Sequence, residues 1–172
     1  MHGTDIFTED LEVIGIEPLS EYETERNKPM PNIVHSTIQG SMVFYLKSKF
    51  RSKYNIAPEA SLNLTPGATP DVSIFEKRDI DWRAVKAKSD QMPLTTIEIV
   101  SPSQSLDLMA QKVFNQYFPA GVRSAWIVVP PPLRAVFVFT PDGKRQIFDT
   151  GTITDPVTGV SIEVDEVFEG IY

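Results

Sequence analysis

Cysteine is absent from the 172-residue chain. That excludes disulfides, cysteine-based zinc sites and thiol nucleophiles. No apolar run reaches the roughly 18 residues a spanning helix needs, so no membrane association is expected. The opening MHGTDIFTEDLEV is acidic and lacks the basic and apolar parts of a secretory signal, which makes a cytoplasmic location the expectation. Basic charge is also scarce: 16 Lys and Arg stand against 23 Asp and Glu, for a net charge of −7. Surfaces that hold duplex nucleic acid are ordinarily basic, because Lys and Arg neutralise phosphates. Any contact with DNA would therefore need a local basic patch, metal ions or both. There is no internal repeat and no low-complexity tract. The remainder is ordinary globular composition, 41% hydrophobic and 23% charged. It suits a single domain over residues 1–172, with residues 1–18 as a peripheral N-terminal segment.

Residues 1–34 are polar, acidic and interrupted by Pro18, Pro29 and Pro31, and read mainly as loop. Ile38, Met42, Tyr45, Leu46 and Phe50 then recur at spacings of three and four, predicting a helix over 36–50. Ser36 and Gln39 have the spacing of a capping box. The basic end of this helix, Lys47 to Lys53, suits the negative pole of the helix dipole. ASLNL and DVSIF are strand candidates on either side of Thr65-Pro66-Gly67. TTIEIV is a third strand, turned by SPSQS into a second helix over 105–118 with Gly121 as its stop. SAWIVV, LRAVFVF, RQIFDT and VSIEVDEVF supply further β segments. Two helices interleaved with several strands predict an α/β (α+β) fold with a mixed sheet flanked by helices.

Two acids break the apolar pattern. In TTIEIV, Ile97 and Ile99 share one face, and Glu98 lies on the other with Thr96 and Val100. A carboxylate in a strand covered on both faces needs a cation or a hydrogen-bonding partner. Asp71 opens the apolar strand DVSIF. Two acids from neighbouring strands at one sheet edge suit Mg²⁺, which takes oxygen ligands and often only one or two carboxylates. Taken singly, Asp71 also fits an Asx-type turn, and Glu98 also fits a buried ion pair.

The motifs as an ordered set resemble the Uma-two family of restriction-endonuclease-like proteins, within the PD-(D/E)XK nuclease superfamily. The resemblance spans roughly residues 19–168. It rests on EYETERNKPMPNIVHSTIQGSMVFYL, TPDVSIF, IEIVSPSQS, AGVRSAWIVVP and GVSIEVDEVF. It implies a restriction-endonuclease-like core and a Mg²⁺- or Mn²⁺-dependent endonuclease acting on DNA. The first superfamily acid maps to Asp71 and the second to Glu98, with the Ile99 carbonyl as a further metal ligand. The superfamily lysine usually lies two residues after the second acid, where this chain has Val100. The family places it on the following helix, at Lys112 here. Without the resemblance, Lys112 reads as a residue snorkelling from the helix flank. The interval from Lys112 to Tyr117 is one residue longer than the resemblance leads one to expect. Either the helix carries a bulge or Lys112 is out of register, since one residue turns a helix by about 100°.

Glu23, ahead of Glu25, is implied as an additional metal ligand, and His35 as a phosphate or proton-transfer residue. Ser101 and Ser103 shape a turn, since no G-x-S-x-G motif surrounds them. The rival expectation is a catalytically inactive nuclease-fold module for binding or assembly. A third reading is a structural homodimer with no nucleic-acid role, pairing or packing through AWIVV and RAVFVF, although these segments read first as core strands.

Overall fold

The computed structural model describes Thr24 and residues 28–172. Helix α1 spans Ile33–Phe50, and β1 (Tyr54–Pro58), β2 (Val72–Glu76) and β3 (Thr95–Ile99) follow. Helix α2 (Leu106–Lys112) runs directly into a π-helical turn over Val113–Tyr117. Then come β4 (Ser124–Val129), β5 (Ala135–Phe139) and β6 (Arg145–Phe148). A small hairpin, β7 (Thr152–Thr154) with β8 (Ser161–Glu163), leads into the single-turn α3 (Val164–Val167).

Strands β1 to β6 form one sheet in chain order. Only β3 and β4 run parallel; the other neighbours are antiparallel. The α2 segment makes the crossover that a parallel pair requires. One face of the sheet, with Ile97, Ile99 and Trp126, packs on Ile38, Met42 and Leu46 of α1. Ile162, Val164 and Val167 of the terminal hairpin and helix join the same core. The other face, with Ala125 and Ile127, packs on Met109, Val113 and Tyr117. Each fully buried aliphatic side chain in these layers contributes about 1.5–3 kcal/mol. The alternation read in TTIEIV therefore holds: Ile97 and Ile99 face α1, and Glu98 faces α2.

Several elements differ from the sequence expectation. Of VSIEVDEVF only Ser161–Glu163 is strand, and Val164–Val167, with a capping box at Glu163, turns as α3. Helix α1 begins at Ile33, capped by Asn32, whose side chain accepts from the His35 amide. The Ser36–Gln39 box does not form because Gln39 bonds Glu59 and the Asp71 carbonyl instead. ASLNL forms no strand; Leu62 makes only isolated bridges to Ala68 and Ser89. The strand pairing with β2 is Tyr54–Pro58, just upstream.

Candidate active site

The site gathers where β1, β2 and β3 end together. Val72 pairs with Ile97 across the β2–β3 ladder, and Pro58 pairs with Val72 across β1–β2. One step further along both ladders, Glu59, Asp71 and Glu98 fall in a single row across three strands. Side chains opposite each other in a ladder lie about 4.5–5.5 Å apart at Cβ, and like charges so placed repel. The row therefore calls for positive charge.

Positive charge is there. The Lys28 ammonium lies 2.7 Å from Asp71 Oδ1 and 3.1 Å from Glu59 Oε2. Lys28 is itself buried. His35 Nε2 lies 3.1 Å from the same Asp71 Oδ1. Asp71 Oδ2 accepts the Ile99 amide at 2.7 Å, which locks the carboxylate to the end of β3. Gln39, one turn beyond His35 on α1, donates to Glu59 Oε1 at 2.8 Å and to the Asp71 carbonyl at 2.7 Å. Glu59 takes a positive φ of 57°, a conformation that favours glycine or asparagine. These contacts hold it there.

Glu98 is 2% exposed and is served from α2. Lys112 Nζ donates to Glu98 Oε1 at 3.0 Å, and the Tyr117 hydroxyl donates to the same oxygen. Lys112 Nζ also stands 5.3 Å from the centre of the Tyr117 ring, within cation–π range. The π turn makes this convergence possible. Five residues along an α-helix leave two side chains about 140° apart. An i→i+5 turn takes up the extra residue, as the Phe118 amide bonding the Val113 carbonyl at 3.0 Å shows. Of the two options left open by the long Lys112–Tyr117 interval, the chain adopts the bulge.

The bulge itself can be tested. Deleting the exposed Asn115 should restore an α-helical turn with Lys112 and Tyr117 four apart, about 40° from eclipsed. We expect the variant to melt within about 0.5 kcal/mol of the parent, as surface changes commonly do. A larger loss of stability would assign the π turn a role in packing beyond register.

The electrostatics divide the two acids. Burial pushes Asp71 up, but the His35 hydrogen bond and the Lys28 charge outweigh it and hold Asp71 at about 2. Burial pushes Glu98 above the ordinary glutamate value; Lys112 pulls it back, and the Asp71 charge pushes it further up. Burial, then the Glu98 charge, keeps Tyr117 well above the usual tyrosine value. Tyr117 is thus a hydrogen-bond donor at neutral pH and not a base.

Asp71, Glu98 and Lys112 are brought together with His35. Glu23 and Glu25 lie outside the described residues. Ser101 sits in the turn, where its amide donates to Gln104 Oε1. Sequence reasoning missed Lys28, Gln39, Glu59 and Tyr117. Among the described residues, no three His, Cys, Asp or Glu side chains converge closely enough to hold a metal by themselves. The donor chemistry nonetheless fits Mg²⁺ or Mn²⁺. Two hard carboxylates with a carbonyl nearby suffice when water and phosphate oxygens complete the shell. The Lys28 ammonium already neutralises Asp71, so a metal taken there would have to displace it.

A mixed sheet with helices on both faces, and acids from adjacent strands at one end, defines a restriction-endonuclease-like fold. A solved structure has the same fold: a protein from Anabaena variabilis described as a "putative nuclease belonging to DUF820", with a TM-score of 0.69 and 23% identity, covering 81% of this chain and 83% of that one. The profile of the Uma2 family, described as "Putative restriction endonuclease", matches residues 20–169. The chain belongs to that family. No functionally curated protein matches the sequence. No described helix is long and apolar enough to cross a membrane.

Proposed function

We propose that the protein is a divalent-metal-dependent endonuclease that hydrolyses DNA phosphodiester bonds. The observation carrying this reading is the row of acids at one sheet end, with Lys112 turned onto Glu98 from the next helix. Asp71 and Glu98 would hold Mg²⁺ or Mn²⁺, with the Ile99 carbonyl. When bound, such an ion supplies Lewis-acid polarisation of the phosphoryl group and a lowered pKa for the attacking water. Lys112 keeps the Glu98 carboxylate oriented, and its ammonium is positioned to meet charge developing on phosphate. Tyr117 fixes the same oxygen, so Glu98 is held in one rotamer before substrate arrives. His35 steadies Asp71 from the opposite side. Family membership supports the reaction class, and a net charge of −7 makes a metal at the acids more necessary, since the chain as a whole repels phosphate.

The test is cleavage of plasmid and single-stranded DNA in Mg²⁺ or Mn²⁺, against an EDTA control. The parent should cut, while Asp71→Ala and Glu98→Ala should not. Equal cutting by all three would identify a contaminant. A melt with and without Mn²⁺ separates this reading from an inactive binding module. A ligand that binds only the native state raises the midpoint, and the module predicts no such rise.

A further inference from the structure

The loop between β2 and β3 carries a feature that the acids do not use. Within six residues it exposes three large apolar side chains: Ile80 at 69%, Trp82 at 82% and Val85 at 63%. An indole that bare contributes little to the core, and its position is costly in water. The loop is also a locally basic stretch of an acidic chain. Residues 77–91 hold five Lys or Arg (Lys77, Arg78, Arg83, Lys86, Lys88) against Asp79, Asp81 and Asp90. Arg83 and Lys86 pair with Asp81 and Asp90. Lys77, Arg78 and Lys88 make no ion pair among the described residues. The loop is anchored, not adrift: the Ser89 amide bonds the Ser61 carbonyl, the Asn63 amide bonds the Ser89 carbonyl, and Asn55 donates to the Arg78 carbonyl.

Beneath the loop lies an open cavity of about 770 Å³. Phe75 and Asn55 form part of its wall, Ile80, Val85 and Lys88 line the loop side, and Glu59 also borders it. Glu59 shares Lys28 with Asp71. The cavity thus meets the acid row at one member, Glu59.

We propose that this loop is a nucleic-acid-binding element for unpaired bases, with Trp82 as the stacking platform and Lys77, Arg78 and Lys88 facing the backbone. The choice of ligand rests on the nuclease reading of the neighbouring acids and on charge complementarity. An aromatic face flanked by cations is how single strands are held, because every base has a π-face. A broad duplex footprint requires a broad basic surface, and around Trp82 the loop offers five Lys or Arg offset by three Asp. A base extruded from a duplex would offer the same unpaired face. The substrate class is thus single-stranded nucleic acid, or duplex with an unstacked base.

The experiment uses the full chain in EDTA, so that no cutting occurs. The probes are an oligothymidylate 12-mer, a perfect duplex of the same length and phosphatidylglycerol vesicles. The chain has two tryptophans, and Trp126 is fully buried, so a quench by added ligand reports Trp82. The single strand should quench the emission saturably and more strongly than the duplex. By fluorescence anisotropy, Trp82→Ala should weaken oligothymidylate binding about tenfold, within the range found for one lost base stack. Trp82→Phe should recover most of the loss, and neither variant should shift the melting midpoint. Unchanged oligonucleotide affinity in Trp82→Ala overturns the proposal. So does a preference for the duplex, or a response to vesicles alone. Binding is read without chemistry, so a failure here is distinct from a failure of Asp71→Ala to abolish cutting.

Discussion

Glu98→Ala should lose cleavage by at least about 10²–10³-fold, the usual cost of deleting a charge-positioning group. It should also melt well below the parent. The two effects have different physical origins and can be separated. Removing Glu98 strands the Lys112 ammonium, whose side chain is 13% exposed, and the buried Tyr117 hydroxyl. Breaking a buried pair from one side costs about 3–5 kcal/mol. For a domain of this size, that is a fall of roughly 6–20 °C in midpoint. Replacing both partners is different, because no charge is left unpaired. The double variant Glu98→Ala, Lys112→Met should regain most of the lost stability, short of the cost of leaving Tyr117 without its acceptor, about 1–3 kcal/mol. It should regain none of the cleavage. A single variant that still cuts within tenfold of the parent would reduce the Glu98–Lys112 pair to a structural ion pair. A double variant as unstable as the single would show that Glu98 matters to the fold through something other than Lys112.

The sequence makes Glu98 visible because an acid interrupts an alternating apolar strand, and the pleat assigns it a face whatever the pairing. It does not make the row visible. Glu59, Asp71 and Glu98 align only through two antiparallel registers, and register depends on long-range pairing that no local pattern encodes. Lys28 and Gln39 are illegible for a related reason. They look like loop and helix-surface residues, and their partners stand 20 to 43 residues away in the chain. The π turn lies between these cases. The five-residue step from Lys112 to Tyr117 shows that something is irregular, but only the contacts to Glu98 show that the helix yields and the side chains do not.

Burial of an acid is not by itself a sign of chemistry, and this chain holds its own control. Asp155 is as buried as Asp71. One of its oxygens accepts the Trp126 indole at 2.8 Å, and the other accepts Val157 and Thr158 amides and the Thr158 hydroxyl. Neutral donors from a turn and a ring serve it, and no cation appears among those partners. Asp71 and Glu98 are served by ammonium groups instead. That contrast, more than depth, sets the acid row apart. A strand signal can mislead in the same way. ASLNL alternates well but makes only isolated bridges, while Tyr54–Pro58, less regular in sequence, forms a continuous ladder with β2.

Lys28→Met should raise the affinity for Mn²⁺ about tenfold while lowering the midpoint of the metal-free protein. The Lys28 ammonium neutralises Asp71 and Glu59 at 2.7 and 3.1 Å, so a divalent ion taken by Asp71 competes with it for the same carboxylate. Methionine keeps an unbranched stem and removes the charge, which confines the change to electrostatics. Without metal, the substitution leaves two neighbouring acids facing each other. His35 remains on Asp71, and Gln39 remains on Glu59. The loss should thus fall toward the lower end of the roughly 3–5 kcal/mol for breaking a buried pair. With metal the balance reverses. The ion no longer displaces an ammonium, and a tenfold gain in affinity corresponds to about 1.4 kcal/mol. Melts across a Mn²⁺ titration should show the variant starting lower and rising further than the parent. Cleavage at saturating metal then gives the second reading. If Lys28 only balances charge, the variant cuts as well as the parent. If Mn²⁺ stabilises the variant less than the parent, competition between ammonium and metal is ruled out. Lys28 would then belong to the machinery that holds the metal or the phosphate, beside Lys112.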